Sequence, residues 1–200
     1  MDVSSNNPPT KYNTSMKVSG NGQGKVLTAP ELKRLFELGL ISSRDRALFA
    51  ICLFTGCRIS EALALQVTDI KNKTITFRKS TTKGKLKTRT IDIPVPLVEY
   101  LAEYQPPPNP YNLYLFPSRA GKALSRSMAD KLLRAACRRI GVEGVSTHSF
   151  RRTALTQMHN AGIPLRHIQE ISGHNDLGTL QRYLEVSPEQ RKKAVSVIGW

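Results

Sequence analysis

Residues 146–186 read STHSFRRTALTQMHNAGIPLRHIQEISGHNDLGTLQRYLEV. His148 and Arg151 are three residues apart, so on one helical turn they can point the same way. Ser146 or Thr147 can cap a helix through residues 150–159, which Gly162 ends. Residues 164–172 form one more helix, with Pro164 in its first turn. Gly173 and His174 stand at its end. Tyr183 follows nine residues after His174, inside another short helical pattern. Two imidazoles, a guanidinium that keeps its charge and a phenol are the makings of a phosphate site with a nucleophile.

Immediately upstream, residues 125–140 (SRSMADKLLRAACRRI) read as a strong helix. Met128, Leu132, Leu133, Ala136 and Ile140 make its core stripe. Arg126, Arg134, Arg138 and Arg139 make much of the rest basic. Before it, residues 95–104 suggest an amphipathic helix with Leu97, Leu101 and Tyr104 facing inward. The run QPPPNP at 105–110 is a rigid loop.

Between Ile70 and Ile93 the period changes to two. TITFR (74–78) and LKTRTIDI (86–93) predict two strands joined by a turn at Gly84. Residues 71–91 hold eight Lys or Arg and no acid. That excess points to a hairpin tracking a phosphate backbone rather than to a merely solvated face.

Earlier still, residues 43–54 read as a buried helix that Thr55-Gly56-Cys57 breaks. Arg58 then opens the helix RISEALAL. An arginine at a helix N-terminus opposes the dipole; a bound anion would remove that penalty. A surface arginine in a turn is the other reading of the same position. Thr28 and Glu31 form a capping-box pattern over a first helix with Leu32, Leu35, Phe36 and Leu38 as its stripe. Order is expected from Thr28, with residues 1–25 a flexible basic tail and residues 26–200 one domain. The fold class is mainly α with a small antiparallel β-sheet, α+β.

The 200 residues carry a formal charge of +15 and a pI of about 10.1. Such a balance favours a polyanionic partner. No apolar run approaches the roughly 20 residues that cross a bilayer, and the start lacks a signal peptide's pattern, so a cytoplasmic location is expected. Three cysteines without a C-x-x-C pair read as reduced thiols, with Cys52 and Cys137 in the core. No zinc spacing is present, so no cofactor and no metal are expected for the chemistry.

Arg58 in TGCRISEAL, the basic hairpin with Lys83, then HSFR, GH and Tyr183, in that order, resemble the catalytic domain of tyrosine recombinases, the phage integrase family. Lys83 follows Arg58 by 25 residues, His174 follows Arg151 by 23, and Tyr183 follows His174 by nine. The resemblance covers about residues 26–190. It implies the family's catalytic-domain fold and a site-specific DNA recombinase that works through a covalent 3′-phosphotyrosine, without metal or ATP.

The resemblance also implies roles. Arg58 and Arg151 match the arginines that hold the scissile phosphate. His148 and His174 match the two site histidines, Lys83 the hairpin lysine, and Tyr183 the nucleophile. Glu61 matches a carboxylate that supports the first arginine. Lys85, two residues from Lys83, competes with it for the role of proton donor. Gly173 is expected to be structural, and Arg152 a backbone-phosphate or structural partner. His159 and His167 match nothing.

The family's partner is double-stranded DNA, engaged by a homo-oligomer, a tetramer on paired sites, with accessory DNA-binding proteins possible. Most members carry a DNA-clamping domain ahead of the catalytic one; the 25 residues here are too few for it, and the layout resembles either short bacterial members such as fimbrial-switch invertases or a fragment. Val195, Ile198 and Trp200 would either pass to a neighbouring subunit or cover their own core. Two other functions fit the same residues less fully: a regulator or decoy that binds recombination sites without cutting, and type IB topoisomerase-like relaxation.

Overall fold

Helix α2 (Ser43–Thr55) runs through the middle of the molecule, with Ala47 to Cys52 entirely enclosed. Its near-continuous apolar sequence therefore has neighbours on every side. Gly56, at φ 61°, ends it in the left-handed conformation that glycine tolerates best. The computed structural model describes residues 24–79, 88–106, 113–181, 184 and 188–198.

Around α2 lie α1 (Ala29–Arg34), α3 (Ile59–Leu63), α4 (Val95–Glu103), α5 (Arg126–Ile140) and α6 (Thr147–Asn160). Then follow α7 (Leu165–Ser172), α8 (Leu177–Gln181) and α9 (Pro188–Ser196). Phe150 of α6 stacks on Phe49 of α2 at 5.0 Å and meets Phe36 edge-on at 6.2 Å. Truncating Phe150 to alanine would cost about 3–5 kcal/mol. It would also loosen the helix that carries His148 and Arg151.

The expected capping box is present: the Thr28 hydroxyl accepts from Glu31 N–H and the Glu31 carboxylate accepts from Thr28 N–H. Order, however, begins before Thr28. Leu27 is in the core, and its N–H donates to Thr153 Oγ1 at 2.8 Å. Lys25 N–H donates to the Gly144 carbonyl, and Arg152 Nη1 donates to the Gly24 carbonyl at 2.8 Å. The segment entering α1 is thereby fastened along α6. After α1 the chain widens into a π-helical turn, Leu35–Gly39, which swings Leu38 out to 63% exposure instead of into the stripe. Gly39 eases the close approach there, because a Cβ would sit 3.1 Å from the Ala136 carbonyl of α5.

Among the described residues the sheet has three antiparallel strands rather than two: β1 (Ile70–Lys71), β2 (Thr74–Phe77) and β3 (Arg89–Asp92), in that order. Ile75 pairs with Ile91 and Phe77 with Arg89. The expected hairpin turn at 80–87 lies outside the described residues. In α5 the buried face is Ala129, Leu133, Ala136, Cys137 and Ile140; Met128 is exposed, one position off the stripe. The four arginines of its outer face are exposed as expected. Tyr104 closes α4 onto the segment that follows, its hydroxyl donating to the Leu115 carbonyl and its ring stacking on Phe116.

A second, small core joins Leu155 of α6, Ile168 of α7 and Leu180 of α8. It fixes the turn between α7 and α8, where His174 sits. All three cysteines are buried and free, and burial pushes the Cys137 thiol up to about 11. Among the described residues, no helix is long and apolar enough to cross a membrane.

Candidate active site

Arg151 lies one turn into α6 on its inner face and is 1% exposed. A buried guanidinium must find partners. Nη1 donates to the Gly56 carbonyl at 2.6 Å and the Ser172 carbonyl at 2.8 Å. Those carbonyls belong to the C-terminal ends of α2 and α7, where backbone dipoles favour a cation. Nη2 lies 3.0 Å from His174 Nε2 and 3.1 Å from Nδ1. Nε has no hydrogen-bond partner among the described residues. Burial, then the charge of Arg58, lowers the guanidinium to about 10, so it stays charged at neutral pH.

His174 follows Gly173, which caps α7 at φ 66°. The residue is 6% exposed, with Ser172 Oγ 2.7 Å from Nδ1. Gln169 Nε2 donates to the His174 carbonyl at 3.1 Å. Burial, then Arg151 and Arg58, drive this imidazole down to about 3. His148 is held below the usual imidazole range by desolvation and by Arg126, Arg151 and Arg58. It remains on the surface. Both rings are therefore neutral near pH 7.

Arg58 is the N-cap of α3. Its backbone N–H donates to Glu61 Oε2 at 2.7 Å, so the unfavourable end of α3 carries its own carboxylate. The Arg58 guanidinium keeps 25% of its side chain exposed, and its Nη1 stands 3.8 Å from Glu61 Oε1.

Glu61 is fully enclosed. Burial alone would raise its pKa, but hydrogen bonds and charge from Arg89, then Arg58, bring it below the ordinary carboxylate value. Arg89 grips both its oxygens, Nη1 to Oε1 at 2.8 Å and Nη2 to Oε2 at 3.1 Å. Arg89 also donates to the Ile171 carbonyl at 3.0 Å and lies 4.4 Å over the Phe77 ring.

The expected residues Arg58, His148, Arg151 and His174 are thus brought into one electrostatic neighbourhood. Lys83 and Tyr183 lie outside the described residues; Tyr183 comes two residues after the end of α8. Arg152 serves structure, through the Gly24 carbonyl. Arg89 and Ser172 were not picked out by the sequence. A signal for Arg89 existed: it shares its strand face with Ile91 and Ile93, an inward position where a charge requires a partner. The run of eight cations hid it. Arg78, also in that run, pairs with Asp69 at 3.1 Å and donates to the Ala64 carbonyl. Two of the eight charges are therefore neutralised by acids outside the run.

The sequence matches the phage integrase family over residues 25–190. The chain belongs to that family. A tyrosine recombinase XerA from Pyrococcus furiosus is 34% identical over 175 residues, covering 86% of this chain and 60% of the relative. The chain spans about three fifths of the length of such curated relatives. In structure it resembles the crystal structure of XerA recombinase, with a TM-score of 0.76, 24% identity and coverage of 94% of this chain and 68% of that one. It also resembles XerH site-specific recombinase bound to its difH substrate in a pre-cleavage complex. That likeness has a TM-score of 0.66 and 26% identity, and covers 86% of this chain and 53% of that one. The fold is that of a phage integrase family catalytic domain, mainly helical with one small antiparallel sheet.

Proposed function

We propose that the chain is the catalytic part of a site-specific DNA recombinase that cuts and rejoins strands through a 3′-phosphotyrosine at Tyr183. The observation that carries this reading is the convergence of Arg58 from the start of α3, His148 and Arg151 from α6, and His174 from the turn after α7. The relative bound to DNA before cleavage supports it.

In this account a scissile phosphodiester is held by Arg58 and Arg151. The Tyr183 phenolic oxygen forms a bond to phosphorus while the bond to the 5′ oxygen breaks. The departing oxygen takes a proton from Lys83 or Lys85. The phenolic proton passes to a neutral imidazole, and His148, the exposed one of the pair, is the more accessible acceptor. A free phenol, with a pKa of about 10, is ionised in roughly one molecule per thousand at pH 7, a handicap of about 4 kcal/mol. Guanidinium charge at the phosphate offsets it and stabilises the charge developing on the phosphoryl oxygens. Arginine suits this because it stays charged and binds two oxygens in a fork. A 5′ hydroxyl reverses the step, so the bond energy is conserved and no ATP is consumed. Paired sites would be joined by a homo-oligomer, with accessory DNA-binding proteins where extra grip is required.

The test uses a pool of nicked duplexes with randomised sequence, whose nick lets the cut fragment diffuse away. The full chain should form a detergent-resistant protein–DNA adduct with a selected subset, and Tyr183→Phe should form none. Selection of sequences without an adduct by the wild type points instead to a binder of recombination sites. Sequence-independent relaxation of plasmid DNA points to a topoisomerase-like activity.

A further inference from the structure

Two arginines face one buried carboxylate, and they are not equivalent. Arg89 is the inner one, with 11% of its side chain exposed, and it covers both oxygens of Glu61. Arg58 is the outer one, 25% exposed, and only its backbone N–H reaches the carboxylate at hydrogen-bond distance. Its guanidinium stands off at 3.8 Å.

Arg89 is not free to leave. The Phe77 ring lies against one side of it, and the Ile171 carbonyl accepts its Nε–H. Gly173 closes the far side: a Cβ there would come within 3.1 Å of Arg89 Nη1. The guanidinium is thus fixed by a strand, a ring and the end of α7 before it meets Glu61.

We propose that Arg89 is a positioning residue that keeps Glu61 occupied, so that the Arg58 guanidinium stays available to a phosphate. The proposal rests on the functional reading above for its consequence, though not for its geometry. Without Arg89, Glu61 would be an enclosed carboxylate whose nearest cation is Arg58. A shift of about 1 Å closes that pair to hydrogen-bond distance, and a buried carboxylate without a counter-charge strongly favours the move. Arg58 would then be spent on its own protein.

The experiment compares wild type, Arg89→Met, Glu61→Gln/Arg89→Met and Arg89→Lys, each checked for folding by circular dichroism. The first readout is phenylglyoxal labelling of Arg58, followed by peptide mass spectrometry; it reports guanidinium availability without any DNA. Arg89→Met should label at least fivefold more slowly at Arg58 than wild type. The double variant, with no charge at position 61, should recover the wild-type rate.

The second readout is single-turnover adduct formation on duplexes selected by the wild type. Arg89→Met should lose at least a hundredfold and the double variant should regain at least tenfold. A purely packing role predicts the opposite, because the double variant removes more of the buried network. If Arg89→Met does not fold, Arg89→Lys replaces it: a lysine covers one oxygen rather than two, and adding Glu61→Gln should again restore labelling. Unchanged Arg58 labelling in a folded Arg89 variant, or no recovery in the folded double variant, overturns the proposal. Labelling that follows the prediction in a wild type forming no adduct supports the Arg89 assignment and overturns the function reading alone.

Discussion

Arg151 and His174 are in direct buried contact, with Nη2 of the arginine 3.0 Å from Nε2 of the imidazole. Burial, and then the charges of Arg151 and Arg58, keep the ring neutral down to a pKa of about 3. This contact has a consequence for stability. The ordinary value for an unfolded histidine is about 6.5, so below pH 6.5 the unfolded chain binds a proton that the folded chain refuses. Stability is therefore full above pH 6.5 and declines as pH falls toward 3. The slope from one such group approaches about 1.4 kcal/mol per pH unit. His148, also depressed, acts in the same direction. Urea unfolding at pH 7, 6 and 5 should show the decline, and His174→Gln should flatten it.

Arg151→Lys should not preserve the site. Nη1 serves two carbonyls, of Gly56 and Ser172, while Nη2 meets His174. An ammonium is a point charge and cannot span that set. Each carbonyl left without its partner costs roughly 1–3 kcal/mol. Chemical denaturation should show a loss of that order, and adduct formation should fall by at least a hundredfold.

The α7 terminus admits little beyond glycine at position 173. Its φ of 66° costs a side-chain-bearing residue roughly 1–2 kcal/mol. An added Cβ also presses on the Arg89 guanidinium at 3.1 Å. Gly173→Ala should therefore lower the melting temperature by several degrees and weaken adduct formation as well, since both Arg89 and His174 depend on that turn.

Salt dependence should separate the cations of the 71–91 run. Arg78 and Arg89 are spent on Asp69 and Glu61. Lys71 and Lys73 are exposed. Each phosphate contact adds about 0.9 to the slope of log affinity against log salt. Lys71→Gln should reduce the slope by up to about 0.9 if that residue meets the backbone. Arg78→Gln should leave the slope alone and lower thermal stability. Equal changes from both variants would contradict the division.

These particulars also show what the sequence could reveal. Helices α2, α5 and α6 carried their own punctuation: Gly56 and Gly141 in the left-handed region, Ser125 and Ser146 as N-caps. Arg58, His148, Arg151 and His174 were legible as site candidates because the types and their order are unusual together. What stayed hidden depended on tertiary partners. β1 has two residues, too few for a period. The π-helical turn leaves the same letters as an α-helix, so Leu38 was placed inward. Arg89 looked like one more cation on a phosphate-tracking hairpin, because its acid, Glu61, is 28 residues away in sequence. Met128 outranked Ala129 on hydrophobicity, yet the tight approach of α5 to the π-helical turn, at Ala136 and Gly39, marks a face where small residues fit better.

The most direct test of the central claim is mass spectrometry of the trapped adduct after nuclease and trypsin digestion. Cleavage after Arg182 and Arg191 yields a peptide beginning at Tyr183. The account predicts a nucleotide joined through its 3′ phosphate to Tyr183 in that peptide. A nucleotide on any other residue, or an adduct of equal yield from Tyr183→Phe, would contradict it.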